Sequence, residues 1–213
     1  VTTLGGGALV IAETVNVGGG NLTLNAAGAI TQGGGDTITA AGLELLGAGT
    51  ATLTDANNAV TTLAANKCGA ISYRDLNALV VGTVNTPGIT TSNDNVTLQT
   101  GGDLTVNNAV DLATGAVAAG GSLFLNVTGG ISQAAGGPVE ANGLEARATG
   151  SVALATSAAN DVAVFASAST AGSVAFTDVN SFIVGTVGVT SGVQATAASQ
   201  SIALVGTRIE LQK

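Results

Sequence analysis

Short apolar segments recur along the chain at intervals of about twenty residues. They start near Leu9, Leu22, Leu43, Leu63, Val80 and Val96, and again near Leu104, Leu123, Leu144, Val164, Ile183 and Ile202. Most alternate apolar with polar, as in Leu22-Thr23-Leu24, Leu43-Glu44-Leu45, Leu104-Thr105-Val106 and Ile209-Glu210-Leu211. A period of two marks strands with one buried face. Glycine pairs such as Gly6-Gly7, Gly19-Gly20, Gly101-Gly102 and Gly120-Gly121 punctuate them and supply bends that need positive φ. No window carries a helical stripe with caps.

The pattern is also written about twice. Gly20-Asn21-Leu22-Thr23-Leu24-Asn25 and Ile30-Thr31-Gln32 return 101 residues later as Gly121-Ser122-Leu123-Phe124-Leu125-Asn126 and Ile131-Ser132-Gln133. Asn77 to Val84 returns as Asn180 to Val187 at an offset of 103. A small drift of this kind follows when changes are confined to turns. We divide the chain into long repeats 1–95 and 96–201 and the start of a third at 202–213, because both Val1–Ile11 and Ile202–Leu211 align with Val96–Val106. A turn-rich beat of twenty without helices predicts an all-β fold, a right-handed parallel β-helix in which each circuit stacks on the one before. Dividing 213 residues by the beat gives about ten circuits. An immunoglobulin-like sandwich array is the rival, but it wants larger core residues and a Trp or Tyr landmark; this chain has no Trp and 2% aromatics.

Composition narrows the function classes. Thirteen acidic residues against five basic ones (Lys67, Arg74, Arg147, Arg208, Lys213) give a net charge of −8, and the basic residues form no stripe in the sequence. Nucleic acid is therefore not an expected partner, and the apolar runs are too short for membrane insertion. There is no histidine, which removes the commonest general base and most zinc sites. Gly33-Gly34-Gly35-Asp36 and Gly101-Gly102-Asp103 lack the tandem nonapeptide of calcium-binding repeats. Arg74-Asp75 is the nearest approach to a catalytic cluster, and its mate Thr177-Asp178 lacks the arginine. We therefore expect no catalytic residues, no metal and no cofactor. Cys68 stands alone and reads as a small turn or core residue. Phe165, Phe176 and Phe182 match Leu63, Tyr73 and Leu79 of the first repeat and read as core.

Polar features remain. Asp75-Leu76-Asn77, Asp178-Val179-Asn180 and Asp55-Ala56-Asn57 read as bends whose side chains satisfy backbone donors. Asn21, Asn95 and Asn126 each begin an Asn-x-Thr triplet, a formal glycosylation acceptor. Thr50, Thr52 and Thr54 share one strand face, but Ser151, Ala153 and Ala155 replace them in the second repeat.

Gly-Gly-x-Leu-x-Leu strands, Gly-x-Ile-[Thr/Ser]-Gln, Thr-Asp-x-Asn and Val-Gly-Thr-Val in Ala/Gly/Thr-rich sequence resemble the repeat regions of filamentous-haemagglutinin-like bacterial exoproteins and related autotransported β-helix stalks. The resemblance implies export to the cell surface and a role as stalk or adhesin. The expected function is a non-catalytic extracellular structural protein. A polysaccharide- or host-surface-binding module is the alternative, and a carbohydrate-active β-helix enzyme ranks third. Neither end reads as a polar cap, so we expect either covalent continuation in a longer chain or self-association end to end into a filament.

Overall fold

The computed structural model describes residues 1–3, 7–67 and 69–212. Cys68, Lys213 and the Gly6 of the first glycine pair lie outside the described residues. The chain is a parallel β-solenoid of about eight turns. Almost every strand pairs in parallel with strands one turn before and one turn after, and 23 strands make one continuous ladder. One antiparallel pair, Thr186–Val187 with Thr190–Ser191, forms a hairpin on its outside. No α-helix occurs among the described residues; a single 3-10 turn spans Val117–Ala119. Among the described residues no helix is long and apolar enough to cross a membrane.

The expected ten circuits are too many, for a physical reason. Paired residues lie from 18 apart, as in Leu63↔Val81, to 29 apart, as in Val110↔Val139. The strands keep their length while excursions at residues 82–88, 112–121, 185–192 and 196–201 lengthen individual turns.

Along each strand alternate side chains enter the core. Strand Ile71–Asp75 buries Ile71, Tyr73 and Asp75, and Val96–Thr100 buries Val96, Leu98 and Thr100. Like residues stack turn on turn: Leu22, Leu43, Leu63, Val81 and Val106 form one column. Phe165, Phe176 and Phe182 are buried together. The first two rings stack with centroids 4.2 Å apart, and Phe182 meets Phe176 edge-on at 5.2 Å.

The two long repeats do not lie one above the other. From Ile30 the ladder climbs four turns through Ala51, Ile71, Val96 and Leu123 on one face. The sequence mate of Ile30 is Ile131, which sits on the next face and pairs with Leu104 and Val152. A long repeat is thus about four and one-third turns, taking the three faces as equal. The long strand Ile38–Gly47 and its mate Val139–Ala148 occupy different sides of the rod.

Candidate functional site

The buried polar side chains are placed by repeat-matched turns. Asn58 and Asn160 are fully buried. Asn160 Oδ1 accepts from Val139 N at 2.9 Å and from Gln133 Nε2 at 2.6 Å, while its Nδ2 donates to Leu154 O at 3.1 Å and Thr177 O at 2.8 Å. Asn58 does the same with Ile38 N, Gln32 Nε2, Leu53 O and Arg74 O. Each asparagine therefore ties three successive turns together. Neither was singled out from the sequence, although the two align at an offset of 102.

Asp75 and Asp178 behave as the bend reading expects. Asp75 Oδ1 accepts from Asn77 N and its Oδ2 from Val60 N, each at 2.8 Å, and the Tyr73 hydroxyl donates to Oδ2 at 2.7 Å. Asp178 accepts from Asn180 N and Val162 N. Burial raises both carboxyls above the ordinary value. Asp55 accepts from Asn57 N and Gly35 N, and Asp103 accepts from Gly130 N, so these acids serve backbone amides. Among the described residues no three His, Cys, Asp or Glu side chains assemble as a metal site. Arg74 and Asp75 point to opposite sides of their strand and do not form a cluster.

Two excursions fold back as clips on the outside of the rod. Glu44 Oε1 accepts from Thr86 N at 2.8 Å, and its Oε2 accepts from Asn85 Nδ2 at 2.6 Å and Thr23 Oγ1 at 2.9 Å. Burial opposes the charge on Glu44, but the bonds from Asn85, Thr23 and Thr86 outweigh it and hold the carboxyl below its ordinary value. Its mate Glu145 accepts from Val189 N at the hairpin tip. Glycine at 42 and 143 leaves room for the clip: a Cβ there would lie 3.0 Å from Val84 and 2.9 Å from Val187 respectively.

One outer face carries the chemistry that a ligand could use. Parallel register places Thr31, Thr52, Ser72 and Thr97 in one row, followed by Phe124. Beside it runs a second row of Arg74, Gln99, Asn126 and Arg147 on consecutive turns. Three rungs at about 4.8 Å separate the two arginines by about 14 Å. The sequence reading found no basic stripe and no threonine row. Register supplies the Thr/Ser row and sets two arginines at the ends of one otherwise neutral row, because the one-third-turn offset aligns residues that do not match by repeat. Thr50, Thr52 and Thr54 are exposed together on this face. Asn21, Asn95 and Asn126 are exposed as well.

Comparison with protein-family models, curated proteins and solved structures finds no match in any of the three.

Proposed function

We propose that the chain is a non-catalytic structural rod, the stalk or filament part of an extracellular adhesin-type exoprotein on a bacterial surface. The observation that carries this reading is the use of the buried polar groups. Asn58, Asn160, Asp75 and Asp178 are spent on backbone groups of neighbouring turns, and no buried side-chain nitrogen or oxygen among the described residues is left without a partner. Such groups stiffen and register a rod. The resemblance to filamentous-haemagglutinin-like repeats supplies the surface location. Antibodies raised against the chain and applied to intact producing cells test it: surface decoration supports the reading, and labelling only after permeabilisation refutes it.

The Arg74–Gln99–Asn126–Arg147 row favours a second reading, a module for acidic polysaccharide. Guanidinium forks take carboxylates in pairs, planar amides take hydroxyls, and Phe124 offers an apolar ring beside them. On a glycan array this reading expects saturable retention of uronate-containing chains that is lost in R74Q/R147Q.

A further inference from the structure

Four planar polar side chains stand on consecutive rungs of one outer face: Arg74, Gln99, Asn126 and Arg147. Several other such groups are consumed by the rod itself. Gln133 and Asn160 serve neighbouring turns, Asn95 accepts from Ser122 N, and Asn93 accepts from Thr114 N. The four of this row are spared: among the described residues none of them makes a side-chain hydrogen bond to the chain. The only ion pair among the described residues joins Arg208 to Glu210. Asp55 lies in the field of Arg74, but its oxygens are taken by the Asn57 and Gly35 amides. Both guanidiniums are thus left for a partner from outside.

The row lies in a concavity. Arg74 and Gln99 line one groove with Leu76, Gly101 and Thr128, and Asn126 and Arg147 line a second with Thr149 and Thr170. Thr128 follows Asn126 by two residues, so the two grooves adjoin at one corner of the rod. Leu76 is 50% exposed and gives the first groove an apolar patch, while the threonines supply hydroxyls. Adjacent rungs are about 4.8 Å apart, so the two arginines stand three rungs, about 14 Å, apart along the axis.

We propose that the ligand of this row is a polyuronate with a carboxylate on every sugar, lying along the rod axis with four consecutive units on the four rungs. A pyranose in an extended glycan advances by roughly one rung, so each unit meets one side chain. The carboxylates of the first and fourth units take the Arg74 and Arg147 forks, and hydroxyls of the second and third meet the amides of Gln99 and Asn126. Parity decides between acidic glycans. Three rungs is an odd spacing, whereas a polymer in which uronate alternates with a neutral sugar carries acid only at even spacings. Such a polymer reaches one arginine and presents a neutral unit to the other. This deepens the polysaccharide-binding reading and rests on it.

Isothermal titration calorimetry of the full chain with linear galacturonate oligomers of defined length tests this. The net charge of −8 repels polyanions in general, so binding reports the row. The dissociation constant should fall at least about tenfold between trimer and tetramer, the worth of one charge-assisted fork, and change little from tetramer to hexamer. R74Q and R147Q should each bring the tetramer to the level of the trimer. Ala168 pairs with Arg147 on the next rung, so R147Q/A168R should shift the step to the pentamer and admit an alternating uronate polymer. These side chains point outward, and circular dichroism should show each variant folded. Gradual tightening with length, equal affinity of the unsubstituted chain for the alternating polymer, or an unmoved step in R147Q/A168R would overturn the register and leave the polysaccharide reading standing. Failure to bind any acidic glycan would remove both.

Discussion

Truncating Phe176 to alanine removes the ring at the centre of the aromatic cluster. Phe176 is completely buried, stacks on Phe165 at 4.2 Å with 16° between planes, and receives Phe182 edge-on at 5.2 Å. Phe→Ala changes at such sites cost about 3–5 kcal/mol through lost transfer energy and the cavity left behind. About 0.5–1.5 kcal/mol per aromatic pair is included in that figure. Phe176→Leu keeps most of the apolar volume and loses the ring pairings, so it should cost about 1–2 kcal/mol. Phe176→Tyr is the informative control. The first repeat places Tyr73 at the matching position, and its hydroxyl reaches Asp75 two residues on, just as Asp178 lies two residues beyond 176. Tyrosine should therefore recover stability that leucine does not. Urea unfolding followed by circular dichroism gives the three values, with the slope checked for constancy so that the midpoints can be compared. An alanine cost below about 1 kcal/mol would mean that the ring is not enclosed, and the strand phase assigned to this turn would be wrong.

Three further outcomes follow from the same geometry. Asn160→Ala strands the Val139 amide and the Leu154 and Thr177 carbonyls, and should cost about 3 kcal/mol in urea unfolding, against under about 0.5 kcal/mol for exposed Asn57→Ala; equal small costs would refute the clamp. The Glu44 carboxyl is held below its ordinary value, so its contribution is present above 4.5 and is lost as pH falls through the depressed folded value. Asp75, Asp178 and Glu140 are raised chiefly by burial and favour the folded state as pH falls, so the local readout is the decisive one. Protection of the Thr86 amide, corrected for intrinsic exchange, should drop below pH 4.5 and be low at neutral pH in E44Q; unchanged protection in acid would contradict the clip. On surfaces coated with polyuronate, R74Q/R147Q should lose retention together with its salt dependence, whereas substituting Arg208 should change neither.

The strand content, the parallel stacking and the buried positions of Phe165, Phe176 and Phe182 were legible because they depend on local alternation and on repeat matching. The number of turns was not. A beat counted from strand starts ignores residues 112–121 and 196–201, which add length to a turn without adding a rung. The outer rows were illegible for a deeper reason. Repeat alignment pairs Thr52 with Ala153, whereas the ladder places Thr52 next to Ser72 and Thr31. Only register reveals which residues are neighbours across turns. Asn85 and Thr86, the clip partners of Glu44, are 41 and 42 residues away and lie in an excursion between strands, so strand periodicity does not point to them. Asn58 and Asn160 did leave a trace, as paired asparagines preceding the same strand in both repeats, but nothing in composition marks a buried asparagine as a clamp.

Pulsed electron–electron double resonance between nitroxides placed at positions 31 and 124 tests the central claim, a rod of registered parallel turns, most directly. Thr31 and Phe124 lie four rungs apart in one row, so the account predicts a single narrow distance distribution centred at about 19 Å, at about 4.8 Å per rung. A broad distribution, or one centred beyond about 30 Å, would contradict the registered ladder.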